Sequence, residues 1–168
     1  MSIKILPMTI QDMEDVSKVQ KETFTQDLCE AHSVLLNRFE IFGQYFHVAK
    51  NGEELLGYMI AFPWKLGETP VNNQNFPKML PTPDCFFIHD ITLLPAARGT
   101  GLARAMIEKA CETGRLLGFK TISLVAVAQS GNYWDKNNFL EYLDITPEKK
   151  NALIANYGQG SRLMSRVL

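Results

Sequence analysis

The stretch "LLPAARGTGLARAMIEKA", Leu93 to Ala110, decides how the rest of the chain is read. An apolar strand runs into Pro95, then come Arg98 and two glycines, and a helical pattern begins with little side-chain capping at its start. A helix start leaves about four backbone N–H groups without intrahelical acceptors and carries a partial positive charge. A phosphate oxygen satisfies both at once. Gly99 and Gly101 let the backbone approach such an anion closely, and Arg98 adds a full charge and a forked donor just before the turn. The competing reading is a tight turn capped by Thr100 with Arg98 in solvent, and two glycines alone favour it.

Two common phosphate loops are excluded by residues. The dinucleotide fingerprint G-x-G-x-x-G needs a small residue where Arg104 stands, and it follows the first strand of a domain rather than lying past the middle of the chain. The nucleotide-triphosphate loop needs a Gly-Lys-Ser/Thr ending, which never occurs here.

Working outward, "CFFIHDITLL" reads as a central strand, apolar on both faces, and "GLARAMIEKACETGRLLG" as a helix burying Ala103, Met106, Ile107, Ala110 and Leu117. "KTISLVAVA" returns as a second buried strand, so a parallel crossover is the expected connection. Upstream, "SIKILPM" is a strand, Thr9 is placed to cap a first amphipathic helix, and "LCEAHSVLLNRFEIFG" is a second helix closed by a left-handed Gly43. "YFHVAK" and "LLGYMIAFPW" form a hairpin around an Asn-Gly turn. Downstream, "SGNYWDKNNF" is a short helix closed by Asn138, Thr146 and Pro147 open another, and "SRLMSRVL" is a terminal strand. These elements predict one α/β (α+β) domain over residues 1–168, a central mixed twisted sheet with helices on both faces. The stretch "PWKLGETPVNNQNFPKMLPTPD" is about twenty residues with five prolines and no period, a length at which loops carry function or move. A substrate loop and a plain surface excursion both remain open for it.

Composition narrows the partners. Seventeen Lys and Arg against 18 Asp and Glu give a net charge of -1, so no global field draws the chain to nucleic acid or an anionic membrane. The three cysteines, Cys29, Cys85 and Cys111, are odd in number and lie among apolar neighbours, which predicts reduced, buried thiols and a cytoplasmic location. No stretch suits a signal peptide or a membrane span. His32 and His47 have no ligand spacing to cysteines or carboxylates, so no metal is expected.

Arg98-Gly99-Thr100-Gly101-Leu102-Ala103 fits the Gln/Arg-x-x-Gly-x-Gly/Ala signature of the GNAT superfamily of N-acetyltransferases, and the chain resembles that superfamily over most of its length. The resemblance implies acetyl-coenzyme A as cofactor, its pyrophosphate on the backbone of residues Arg98, Gly99, Thr100, Gly101, Leu102 and Ala103, and its pantetheine arm along Ile91, Thr92 and Leu93. "YWDKNNF" is similar to the family's Phe-Tyr-x-Lys-x-Gly-Phe segment at Lys136 and Phe139, but Trp134 stands where the tyrosine that protonates the departing thiolate belongs. "GYMIAFPW" and "FIHDITLLP" look most like the arylalkylamine (serotonin) branch, with His89 matching the second of two histidines and Phe87 standing at the first.

Acetyl transfer to an amine needs a base for the ammonium proton and donors for the developing oxyanion and thiolate. His89, with an ordinary pKa near 6.5, is the expected base, on the same strand parity as Ile91 and Leu93. Asp90 points to the other face and takes the role if a bulge reverses that parity. Tyr133 is the expected proton donor to the thiolate by elimination, and Asn132 and Trp134 are expected coenzyme contacts. Phe24, Phe62 and Trp64 suggest an apolar or aryl part on a small primary amine, acetylated by direct transfer in a ternary complex. A non-catalytic acyl-coenzyme A sensor or interaction domain is the alternative, with Trp134 as its best evidence, and a nucleotide-binding module is the third reading. A homodimer is left open.

Overall fold

The computed structural model describes residues 2–168. Seven strands, β1 (Ile3–Pro7), β2 (His47–Asn51), β3 (Glu54–Trp64), β4 (Cys85–Leu93), β5 (Thr121–Ala126), β6 (Leu140–Glu141) and β7 (Arg162–Val167), form one sheet in the order β1-β2-β3-β4-β5-β7-β6. Among the described residues only β4 and β5 pair in parallel, connected by the α3 helix (Leu102–Leu116), and the sheet is mixed as the sequence predicts. The Asn-Gly hairpin forms between β2 and β3 with Gly52 at φ +62.

One face of the sheet carries α1 (Met13–Thr23), α2 (His32–Phe42) and α5 (Pro147–Tyr157), over a core that includes Met13, Val16, Leu35, Tyr58, Phe62, Phe87 and Leu153. The other face packs Met59, Phe86 and Ile88 against Met106, Ile107 and Ala110 of α3. The α3 stripe differs from the expected one: Leu102, Cys111 and Gly114 are buried, while Ala103 is only half-buried and Leu117 is 42 % exposed. Gly114 is small because α3 sits hard against the sheet there; a Cβ would lie 2.7 Å from Leu168 Cδ1 and 3.2 Å from Phe86 Cβ.

Helix ends follow the sequence in part. Thr146 accepts the Lys149 N–H at the start of α5, and Asn138 closes α4 (Gly131–Lys136) at φ 65. The second helix begins later than its periodicity suggests, because Gln26–Leu28 forms a separate 3-10 turn and Glu30 turns inward ahead of α2. Gly43 is right-handed at φ -54 rather than left-handed; the chain winds on into a 3-10 turn, and the missing side chain makes room for Phe39, 2.7 Å from where its Cβ would stand. Cys85 and Cys111 are buried as expected, and Cys29 is half-buried.

The sheet is irregular where it matters. Opposite β3, Ile60 pairs with Asp90 and Ala61 with Ile88, which leaves His89 as the extra residue of a β-bulge. On the other side, β4 and β5 pair only from Phe86 to Ile88 and then diverge, so the β4 edge from His89 to Leu93 has no strand beside it.

Candidate active site

The turn after β4 has the form that its sequence suggests. Gly99 and Gly101 take φ +74 and +83, and a Cβ built on either meets nothing within 4 Å, so open space lies before both. No side chain caps α3; Thr100 donates instead to the Ala97 carbonyl at 2.7 Å. The first helical bond runs from Ala105 N–H to the Gly101 carbonyl, leaving the N–H groups of Leu102, Ala103 and Arg104 to point out of the helix start. A cleft of about 250 Å³ adjoins the turn, walled by Arg98, Ala103 and Ile107 on one side, by Ile91, Thr92 and Leu93 of β4, and by Ser130, Tyr133 and Trp134 at the opening of α4.

Phe24, Ile91, Ser130 and Trp134 also line a second cavity of about 210 Å³ in the gap between β4 and β5, where His89, Asp90, Glu30 and Tyr157 form the polar wall. The bulge takes His89 off the expected parity, while Asp90 stays opposite Ile91 and Leu93 as expected. Asp90 bonds Tyr58 of the α1/α2-side core and His89 bonds Glu30 beyond it, so both lie on that face, while Ile91 and Leu93 pack toward α3.

His89 is almost wholly buried, and its Nε2 lies 3.1 Å from Glu30 Oε2, while Nδ1 has no partner among the described residues. Glu30 in turn receives Arg38 Nη2 at 2.6 Å and the Asn73 N–H at 3.0 Å on Oε1. Burial pushes the Glu30 carboxyl up, but His89 and the Arg38 guanidinium outweigh it and hold the group well below the usual carboxylate range. Asp90 goes the other way. Burial raises its pKa, against the opposing pull of hydrogen bonds from Tyr58 (2.5 Å) and Thr92 (2.7 Å), each to a different oxygen.

The remaining expected residues are spread out. Tyr133 is 41 % exposed in the coenzyme-side cleft, with burial of its inner edge raising its pKa, and does not line the His89 cavity. Asn132 is exposed and lines neither space. Phe24 lies between the two cavities, whereas Phe62 is fully buried, stacked on Phe42 and edge-on to Phe76. Trp64 lines a separate space of about 760 Å³ under residues 65–82, so the three aromatic residues do not share one pocket. Among the described residues no cluster of His, Cys, Asp and Glu is placed for a metal, and no helix is long and apolar enough to cross a membrane. Glu30, Arg38, Ser130 and Tyr157 joined the site without a local sequence signal, because only the long-range fold brings them to His89.

The model of the Acetyltransferase (GNAT) family matches residues 12–139, which include the turn, both cavities' strands and α4. The chain belongs to that family. The GNAT domain is a single-domain α/β fold, and the protein is an acetyltransferase using acetyl-coenzyme A. No curated protein matches it. Among solved structures, it is similar to Ard1 from Thermoplasma volcanium (TM-score 0.72, 11% identity, 100% of this chain and 99% of that one). It is likewise similar to the PaiA N-acetyltransferase from Thermoplasma acidophilum, solved with coenzyme A (0.71, 15%, 100% of each chain). The loading GNATL domain of CurA from Lyngbya majuscula aligns at TM-score 0.74 with 10% identity, over 98% of this chain and 96% of that one. At these identities the likeness is one of fold.

The site of this GNAT chain fits the coenzyme on its own geometry. Uncapped N–H groups and open glycines suit a pyrophosphate, and an unpaired strand edge suits an extended amide-bearing arm.

Proposed function

We propose that this protein acetylates the primary amine of a small molecule with an apolar, arylalkylamine-like body, by direct transfer in a ternary complex. The N–H groups of Leu102, Ala103 and Arg104, with Arg98 beside them, would hold the pyrophosphate, and the free β4 edge at Ile91, Thr92 and Leu93 would pair with the pantetheine amides. Acetyl-coenzyme A supplies the acetyl group as an activated thioester. Trp134, which lines both spaces, is proposed to steady the arm from the α4 side, and Asn132, exposed and outside both, has no part in it.

His89 is the proposed base. The observation that carries this is its buried Nδ1, without a partner among the described residues, on a side chain that lines the cavity next to the coenzyme cleft. Nδ1 takes the proton of the incoming ammonium, directly or through one water, which frees the nitrogen lone pair to form the new C–N bond as the C–S bond breaks. The imidazolium so formed faces the Glu30 carboxylate. Asp90 ranks behind His89 because both of its oxygens already accept hydroxyl donors; it is proposed to attract the ammonium into the cavity. Tyr133, protonated at neutral pH and lining the coenzyme cleft, is the proposed donor to the departing sulfur. Phe24, Leu28 and Trp134 give the cavity its apolar wall for the body of the amine, while Phe62 and Trp64 of β3 support it from the packed core.

A panel of aryl- and alkylamines assayed by thiol release tests the reading. His89→Gln is expected to lower kcat about a hundredfold or more while coenzyme affinity, read by calorimetry, stays within about twofold. Binding of acetyl-coenzyme A without turnover of any amine would favour a sensor instead.

A further inference from the structure

We infer that Glu30 is a positioning residue that fixes His89 in the tautomer with its proton on Nε2, and that Arg38 and residues 71–73 hold Glu30 in place to do so. The inference rests on His89 acting as the base.

The hydrogen-bond inventory around Glu30 decides the tautomer. Its Oε1 receives Arg38 Nη2 at 2.6 Å, Arg38 Nε at 3.2 Å and the Asn73 N–H at 3.0 Å, and its Oε2 receives Arg38 Nε at 3.2 Å. A carboxylate held by a guanidinium only accepts. The group 3.1 Å from Oε2 must therefore be a donor, so His89 Nε2 carries a hydrogen. In the neutral ring Nδ1 then has the lone pair, and Nδ1 is the nitrogen left without a partner.

The network is costly to bury, since the Glu30 and Arg38 side chains are 4 % and 0 % exposed and two charges must leave water to form it. It also reaches outward. Arg38 Nη2 donates to the Val71 carbonyl at 3.1 Å, and the Asn73 side chain accepts the Ala31 N–H at 2.7 Å. The same few bonds thus tie the proline-rich segment to the carboxylate that orients the base.

Glu30→Gln separates charge and tautomer from shape. Arg38 keeps the side-chain oxygen and turns the amide NH2 toward His89, so Nε2 must accept and Nδ1 must carry the proton. An analogous carboxylate-to-amide change beside a catalytic histidine lowers turnover by about ten-thousandfold in serine proteases. Here a fall in kcat of a hundredfold or more is expected, with coenzyme affinity unchanged and Glu30→Asp recovering part of the loss. The decisive measurement needs no turnover: nitrogen-15 NMR of the imidazoles at a pH where His89 is neutral. Protonated Nε2 with a bare Nδ1 in the parent, changed to protonated Nδ1 in Glu30→Gln, is the expected result. A parent His89 with its proton on Nδ1, or Glu30→Gln with parental turnover, overturns the inference. Full activity of His89→Gln removes the base assignment itself and leaves the NMR result standing, so the two failures are told apart.

Discussion

At the scale of single residues, the buried Glu30 carboxylate makes a prediction about stability as well as rate. A carboxyl whose pKa is lower in the folded protein than its ordinary 4.5 stabilises the fold in full above pH 4.5. That contribution is lost as the pH falls from there toward the folded value. Glu30→Gln, which leaves Arg38 buried without its counter-charge, is therefore expected to cost about 3 kcal/mol at pH 7. The gap between parent and variant should narrow steadily once the pH drops below 4.5. Urea melts at pH 7, 5 and 3.5 measure it, and a gap that stays constant across that range would show that the Glu30 carboxyl titrates alike in the folded and unfolded chain. His89 itself was legible from the sequence as a polar residue in an apolar strand. Its partner was not, because Glu30 lies 59 residues away and reaches it only by turning inward ahead of α2. The assignment of faces went wrong for a related reason: one extra residue at the bulge shifts every side chain on one side of it, and a bulge is written in the pairing of two strands rather than in either alone.

At the scale of elements, the β4 strand and the start of α3 are fixed by close approaches that glycine permits. Gly57 of β3 lies so near β4 that a Cβ would stand 2.5 Å from the Thr92 carbonyl oxygen and 2.4 Å from Leu93 Cδ2. Gly57→Ala must push that end of β4 away, at an expected cost of about 1–3 kcal/mol in a thermal or chemical melt. It should also weaken coenzyme binding, since the displaced residues are those proposed to pair with the arm. Gly101→Ala acts differently. Its φ of +83 penalises a side chain by about 1–2 kcal/mol, and its Cβ would enter the open space where the pyrophosphate is proposed to sit. Calorimetry should therefore record a loss of coenzyme affinity larger than that of Gly57→Ala, with little change in kcat at saturation. The turn, the Asn-Gly hairpin and the α5 start were readable because each is specified by consecutive residues. Gly43 was misread because its smallness answers to Phe39 packing above it, a need that also selects glycine but leaves φ negative.

At the scale of the whole molecule, the split between β4 and β5 joins the two halves of the sheet only through Phe86, Phe87 and Ile88 on one strand and Ile122, Ser123 and Leu124 on the other. A ligand arm lying in the gap beyond them would bridge β4 to the α4 opening, so binding should stabilise the fold as a unit. For coenzyme A at a hundred times its Kd, linkage gives about 2.7 kcal/mol, which for a chain of this size raises the Tm by about 5–10 °C. ATP offers phosphates to the same turn but has no pantetheine to lay along the β4 edge. The net charge of -1 supplies no general attraction for it either. At equal ligand concentration, scanning calorimetry should thus show a clearly larger Tm shift for coenzyme A, and titration calorimetry a higher affinity. Equal affinities for ATP and coenzyme A would mean that the strand edge contributes nothing, and the arm would have to be sought elsewhere than between β4 and α4.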